Sequence, residues 1–164
     1  MFRVKALLCV GLALAPFLGA RAVLAQQQFQ CVVSARTSDP AVKQEYFAEK
    51  AIVEKALAIF PHQPAWKWMI FPDEATWKTF VDRTRMNAMG GDYYGLTDMD
   101  SHETFLRGWT LTHPTDERAL PMHVIAHELA YPFLQTHDIR KADALSVKWV
   151  QEYTDEPPHS AFEY

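Results

Sequence analysis

"HVIAHELAYPFLQTHDIRKADALSVKW", residues 123–149, decides how the chain is read. The apolar residues around His127 and Glu128 (Met122, Val124, Ile125, Leu129, Ala130) have the density of a helix buried at the floor of a cleft. Pro132 marks a kink or an end. A second helix, roughly Arg140 to Tyr153, carries Ala142, Leu145, Val147, Trp149 and Val150, with His137-Asp138 ahead of it and Asp138 suited to cap its positive end. On the first helix His123, His127 and Tyr131 fall at i, i+4 and i+8 and so share one stripe.

Upstream of this pair, "TSDPAVKQEYFAEKAIVEKALAIF" offers Ser38 or Asp39 as an N-cap and Pro40 at the first helical position. Val42, Tyr46, Val53, Leu57 and Phe60 recur at helical spacing, interrupted by Glu49, which predicts a helix over 40–60. "AWKWMIF" reads as a strand, Pro72-Asp73 caps a helix to about Arg85, and "AMGGDYYGLTD" reads as a turn on Gly90 and Gly91. "HETFLRGWTLT" reads as a second strand, followed by the polar loop "HPTDERALP", and the tail 154–164 reads as loose. The resulting order predicts an α+β domain with helices packed on a small mixed sheet.

Residues 1–25 have Arg3 and Lys5 ahead of about 13 apolar residues and then small residues, the pattern of a secretory signal cleaved after Ala22 or Ala25. The run is shorter than the ~20 residues that span a bilayer. The expected divisions are thus a signal peptide at 1–25, an N-terminal segment at 26–39, one domain at 40–153 and the tail, with a secreted or periplasmic location. Losing Arg3, Lys5 and Arg21 takes the formal net charge from −4 to −7, which argues against nucleic acid and anionic membrane as partners. Cys9 leaves with the signal, so Cys31 has no intramolecular partner and the fold must rest on its core. Trp66, Trp68, Trp77, Trp109 and Trp149 lie in periodic segments and are expected in that core, whereas His62, His102, His113 and His159 are expected to face solvent.

Zinc hydrolysis asks for two imidazoles one helical turn apart and a carboxylate beside the first to take a proton from metal-bound water. His127 and Glu128 meet half of that demand, and Tyr131 stands where the second imidazole would be. With "HETFLRGWTLT", a loop, "HVIAHELAY" and "DIRKADALSVKW" in this order, the chain resembles a gluzincin-type zinc metallopeptidase, which implies a zincin-like single domain with the zinc-helix equivalent at about 117–131. In that group an exposed strand edge lies above the zinc helix, and the next helix supplies a glutamate ligand four residues before an aspartate that hydrogen-bonds the first histidine. The resemblance implies the first-ligand position for His127, the general-base position for Glu128 and the hydrogen-bonding aspartate for Asp143. It also implies degenerate ligand positions at Tyr131 and Ile139.

A phenol is a poor ligand at neutral pH, and Ile139 coordinates nothing. The expectation is therefore a pseudopeptidase without a metal cofactor, whose strand Thr104 to Thr110 can pair at its edge with an extended peptide or protein segment. One alternative is an active zinc enzyme using His123, His127 and Asp138 or His137. Another is a structural envelope protein with a filled cleft. His123 equally fits a packed polar edge of the helix with no ligand role.

Overall fold

The Asp39 carboxylate accepts the Ala41 N–H at 2.9 Å and Pro40 occupies the first helical position, so α1 (Pro40–Ile59) begins where its capping residues dictate. Its inner stripe is Glu49, Val53, Ala56 and Leu57, with Phe60 buried just beyond. Asp73 caps α2 (Glu74–Arg83) by accepting from the Thr76 N–H at 2.8 Å. The computed structural model describes residues 26–34, 39–84, 93–115 and 120–158. The expected signal segment, Ser38, the Gly90-Gly91 turn and His159 lie outside them.

Among the described residues four strands form one sheet in the order β1-β2-β4-β3: β1 (Gln28–Cys31), β2 (Lys67–Phe71), β3 (Gly95–Asp98) and β4 (Glu103–Arg107). β1, β2 and β4 run parallel, and β3 pairs antiparallel with β4. The chain is an α+β protein with helices on a small mixed sheet, and three of the sheet's details differ from the sequence reading. Residues 28–31, assigned to a segment before the domain, are an edge strand, and Gln27 is buried with its amide bonded to Trp68 Nε1 and the Gln63 carbonyl. "GLTD" is a strand where a turn was expected. The strand expected across 102–112 stops at Arg107, and Gly108–Thr112 form the short helix α3. β4 therefore lies inside the sheet with both sides paired, and among the described residues the outer edge on its side belongs to β3.

Strand alternation sorts the side chains onto two faces. Trp68 and Ile70 of β2 and Leu106 of β4 turn toward α1, α4 (Pro121–Leu134) and α5 (Ile139–Tyr153), forming the main core with Val53, Leu57, Ile125 and Trp149. Phe71, with the half-buried Met69 and Phe105, meets Trp77 and Val81 of α2 on the other face. Trp66, Trp68, Trp77 and Trp149 are buried, as expected, and burial of each such side chain contributes about 1.5–3 kcal/mol. Trp109 is half-buried and stacks on His113.

The helix α4 starts at Pro121 and continues through Pro132 to Leu134, where Gln135 ends it in the left-handed conformation at φ 49°. Leu120 offers no side-chain cap. Glu156 supplies one from the far end of the chain, accepting the Met122 N–H at 3.2 Å, so residues 154–158 are not the loose tail expected. The expected helix span of about 117–131 is thus shifted toward the C-terminus, with 117–119 outside the described residues. Among the described residues no helix is long and apolar enough to cross a membrane.

Candidate functional site

Residues i and i+4 of one helix face each other, and this brings His127 and Tyr131 together on α4. The His127 Nε2 and Tyr131 hydroxyl are 3.1 Å apart, with the rings edge to face at 5.2 Å. On the other side of the imidazole, Nδ1 lies 3.9 Å from Oδ1 of Asp143, which is buried on α5. That separation is too long for a hydrogen bond, so Asp143 faces His127 without the bond that the resemblance implies. Burial pulls the His127 pKa down to about 4, against the opposing pull of Asp143, and the imidazole is neutral at pH 7. Burial first, and then the carboxylates of Glu128, Asp143 and Asp138, hold the Tyr131 phenol above its ordinary range, so it keeps its proton. With a proton on Nδ1 facing Asp143, Nε2 accepts from the Tyr131 hydroxyl, and that bond engages both groups.

Glu128 turns the other way, to the sheet. Its carboxyl lies against the backbone of Gly95, where an added Cβ would come within 2.7 Å of Oε1. Thr97 Oγ1 donates to Glu128 Oε2 at 2.7 Å and lies 2.9 Å from Thr104 Oγ1, which accepts from Trp66 Nε1 at 2.9 Å. An indole N–H can only donate, so with Glu128 ionised the chain has one possible direction: Trp66 to Thr104 to Thr97 to Glu128. Burial nevertheless raises the Glu128 pKa to about 7, the Thr97 bond opposing it. Thr97 Oγ1 also lies 3.3 Å from the Glu128 carbonyl, the group left without its helical partner because Pro132 has no N–H.

The remaining sequence candidates do not converge on this pair. His123 is buried one turn earlier on α4. His137 is exposed, and Asp138 caps α5 by accepting from Arg140 N at 3.0 Å, the role its position suggested. Ile139 is 48% exposed at the start of α5. His62 is half-buried, contrary to the expectation of solvent exposure, with Nδ1 bonded to the Phe60 carbonyl at 3.0 Å. His102 and His113 are exposed as expected. Among the described residues no three His, Cys, Asp or Glu side chains are grouped to hold a metal. The residues that the zinc pattern assigns do not fit the ion: one imidazole already engaged by a protonated phenol, and a carboxyl turned to Gly95 and Thr97.

Reasoning from the sequence missed Gly95 and Thr97, and it placed Thr104 on a peptide-pairing edge without its link to Glu128. It also missed the edge that Gly95 and Thr97 define. Tyr94 O accepts from Arg107 N, which makes Tyr94 and Arg107 a hydrogen-bonded pair and puts Gly95 and Thr97 at non-bonded positions opposite Leu106 and Thr104. The main-chain N–H and C=O groups of Gly95 and Thr97 therefore point outward from the sheet. No protein-family model matches the chain, and no curated protein or solved structure does either.

Proposed function

We propose that this is a secreted or periplasmic, zincin-like pseudopeptidase that binds an extended peptide or protein segment along the outer edge of β3 without cleaving it. The observation that carries this reading is the Tyr131 hydroxyl on His127 Nε2 at 3.1 Å: the residue at the second-ligand position occupies the donor atom of the first. An edge strand packed over the helix that bears His127 and Glu128 supports the zincin-like likeness. The outward main-chain groups of Gly95 and Thr97 supply what strand addition requires, and they need no metal. A mute site beside a live edge is the combination expected when binding outlasts chemistry.

The test is selection of binders from a displayed library of seven-residue peptides, followed by resynthesis of enriched sequences with a single N-methyl group at each position in turn. Strand pairing predicts that affinity falls at every second position, because alternate peptide N–H groups point at β3. Even loss along the peptide, no enrichment at all, or chelator-sensitive cleavage of the selected peptides would overturn the reading.

A further inference from the structure

Only three non-glycine residues among the described ones have positive φ: Ala65 (58°), His102 (57°) and Gln135 (49°). They come from three separate turns, the α1–β2 connection, the β3–β4 turn and the end of α4, yet two of them line one groove of about 410 Å³ and the third adjoins its lining in sequence. His102 and Gln135 line it, and Ala65 lies between the lining residues Pro64 and Trp66. Each such conformation costs on the order of 1 kcal/mol or more for a residue with a Cβ, and such residues concentrate where a surface is shaped for a ligand. Chance gives no reason for three unrelated turns to spend it at the same place.

The groove lies at the end of the sheet where β3 stops, since Met99 of its lining directly follows Asp98, the last residue of β3. Its chemistry is specific. Among the described residues no carboxylate, ammonium or guanidinium lines it, so a charged group entering would give up part of its hydration without meeting a counter-charge. Pro64, Pro132 and Met99 present apolar surface, and the His102 ring lies on Trp66 with centroids 5.2 Å apart and planes at 17°. The side-chain amides of Gln63 and Gln135 are the hydrogen-bonding groups, and a purely aliphatic occupant would leave them desolvated and unmatched. Gln63 also ties the groove together, with Nε2 donating to the Pro132 carbonyl at 3.3 Å.

We infer that this groove is a side-chain pocket for an uncharged aromatic residue with a hydrogen-bonding tip, of the tyrosine class, carried by the segment that pairs with β3. The assignment of the occupant to a peptide rests on the proposed edge binding, while the groove's own preference does not. Trp66 forms part of its wall and begins the hydrogen-bond chain to Thr104, Thr97 and Glu128. Glu128 is on this view a positioning residue: its carboxyl anchors the chain that fixes the indole.

Capped single amino acids test the pocket apart from the edge, since they are too short to add a strand. Titration of N-acetyl-tyrosinamide into the purified protein, followed through the Trp66 indole and Met99 methyl resonances, is expected to give saturable shifts. N-acetyl-lysinamide and N-acetyl-glutamic acid amide are expected to give none. His102→Gly and Gln135→Gly each remove a lining side chain at a position where glycine relaxes the backbone. Either is expected to raise the dissociation constant roughly tenfold, the size of one lost hydrogen bond or stacking contact. Absent shifts, an equal response to the lysine amide, or unchanged affinity in both glycine variants would overturn the pocket. If the capped amide binds but selected peptides show no alternate-position N-methyl effect, the edge reading falls and the pocket stands. The reverse result removes the pocket alone.

Discussion

Glu49 and Glu128 are two buried glutamates in matching seats. Each lies against a glycine that a Cβ would obstruct, Gly108 for Glu49 and Gly95 for Glu128, and each has its pKa raised by burial. Glu128 has the Thr97 hydroxyl and is raised to about 7. Neither oxygen of Glu49, which is 0% exposed, meets a hydrogen-bond donor among the described residues, and with Glu45 and Asp73 adding repulsion its pKa reaches about 8. The difference has two causes, a hydroxyl donor on Glu128 and like-charged neighbours on Glu49, and together they hold one carboxyl closer to ionisation than the other while leaving both destabilising as anions.

The largest effect that could break the comparison is in the pH dependence of stability. From pH 4.5 upward the unfolded chain sheds these protons while the folded chain keeps them, to about 8 for Glu49 and about 7 for Glu128. Each group therefore lowers stability as pH rises through its window, by about 1.4 kcal/mol per pH unit, on the order of 5 kcal/mol in all for Glu49. His127 acts oppositely: its folded pKa of about 4 lies below the ordinary 6.5, so stability rises with pH between those values. Urea midpoints from pH 5 to 9 are expected to show Glu49→Gln removing a one-proton slope up to about 8, and Glu128→Gln only up to about 7. Identical windows for the two variants would break the distinction.

Steric seating comes next. In Gly108→Ala the new Cβ would meet Glu49 Cδ at 2.6 Å and Ile70 Cγ2 at 2.7 Å, an overlap expected to cost about 3 kcal/mol. For Gly95→Ala the three nearest atoms all belong to Glu128, the nearest at 2.7 Å, and the change is expected to cost about 2 kcal/mol. A double-mutant cycle sharpens the contrast, because Glu128→Ala should relieve most of the Gly95→Ala cost, whereas Glu49→Ala leaves Ile70 in the way. Equal rescue in chemical denaturation would contradict the geometry.

Thr97→Val removes the donor that distinguishes the two carboxyls. It is expected to cost about 1–2 kcal/mol above neutrality and to move the Glu128 titration upward, read from its side-chain carbon resonance, leaving Glu49 unchanged. The smallest effect belongs to Tyr131→Phe, about 1 kcal/mol by thermal melting, with neither glutamate's titration altered. A stabilised variant would mean that the Tyr131 hydroxyl does not satisfy His127.

α1, α2, β2 and α5 were legible in the sequence because Asp39-Pro40, Pro72-Asp73 and Asp138 announce helix starts and the apolar spacing is regular behind them. β1 and β3 were not. Neither contains a fully buried residue, and their extended form is set by pairing with β2 and β4. "GWTLT" has the composition of a strand, but in α3 Thr110 and Thr112 bond back to the carbonyls of Arg107 and Trp109, and Gly108 admits the Glu49 carboxyl. At the site, the residues sharing α4 were readable from spacing alone. Thr97, Thr104 and Trp66 reach Glu128 from other segments, and Glu49 reads as an interruption of its helix.

Pro132 carries a consequence for observation. The Thr97 hydroxyl has one proton, with the Glu128 carboxyl oxygen at 2.7 Å and the Glu128 carbonyl at 3.3 Å as competing acceptors, and only proline makes the second one available. When the side chain ionises it claims that proton, and the carbonyl of the same residue loses its acceptor bond. When the carboxyl is protonated, it can donate to Thr97 instead, and the hydroxyl proton is released to the carbonyl. The main-chain carbon of Glu128 is thus a built-in spectroscopic gauge of its own side chain, readable by isotope labelling of a single atom.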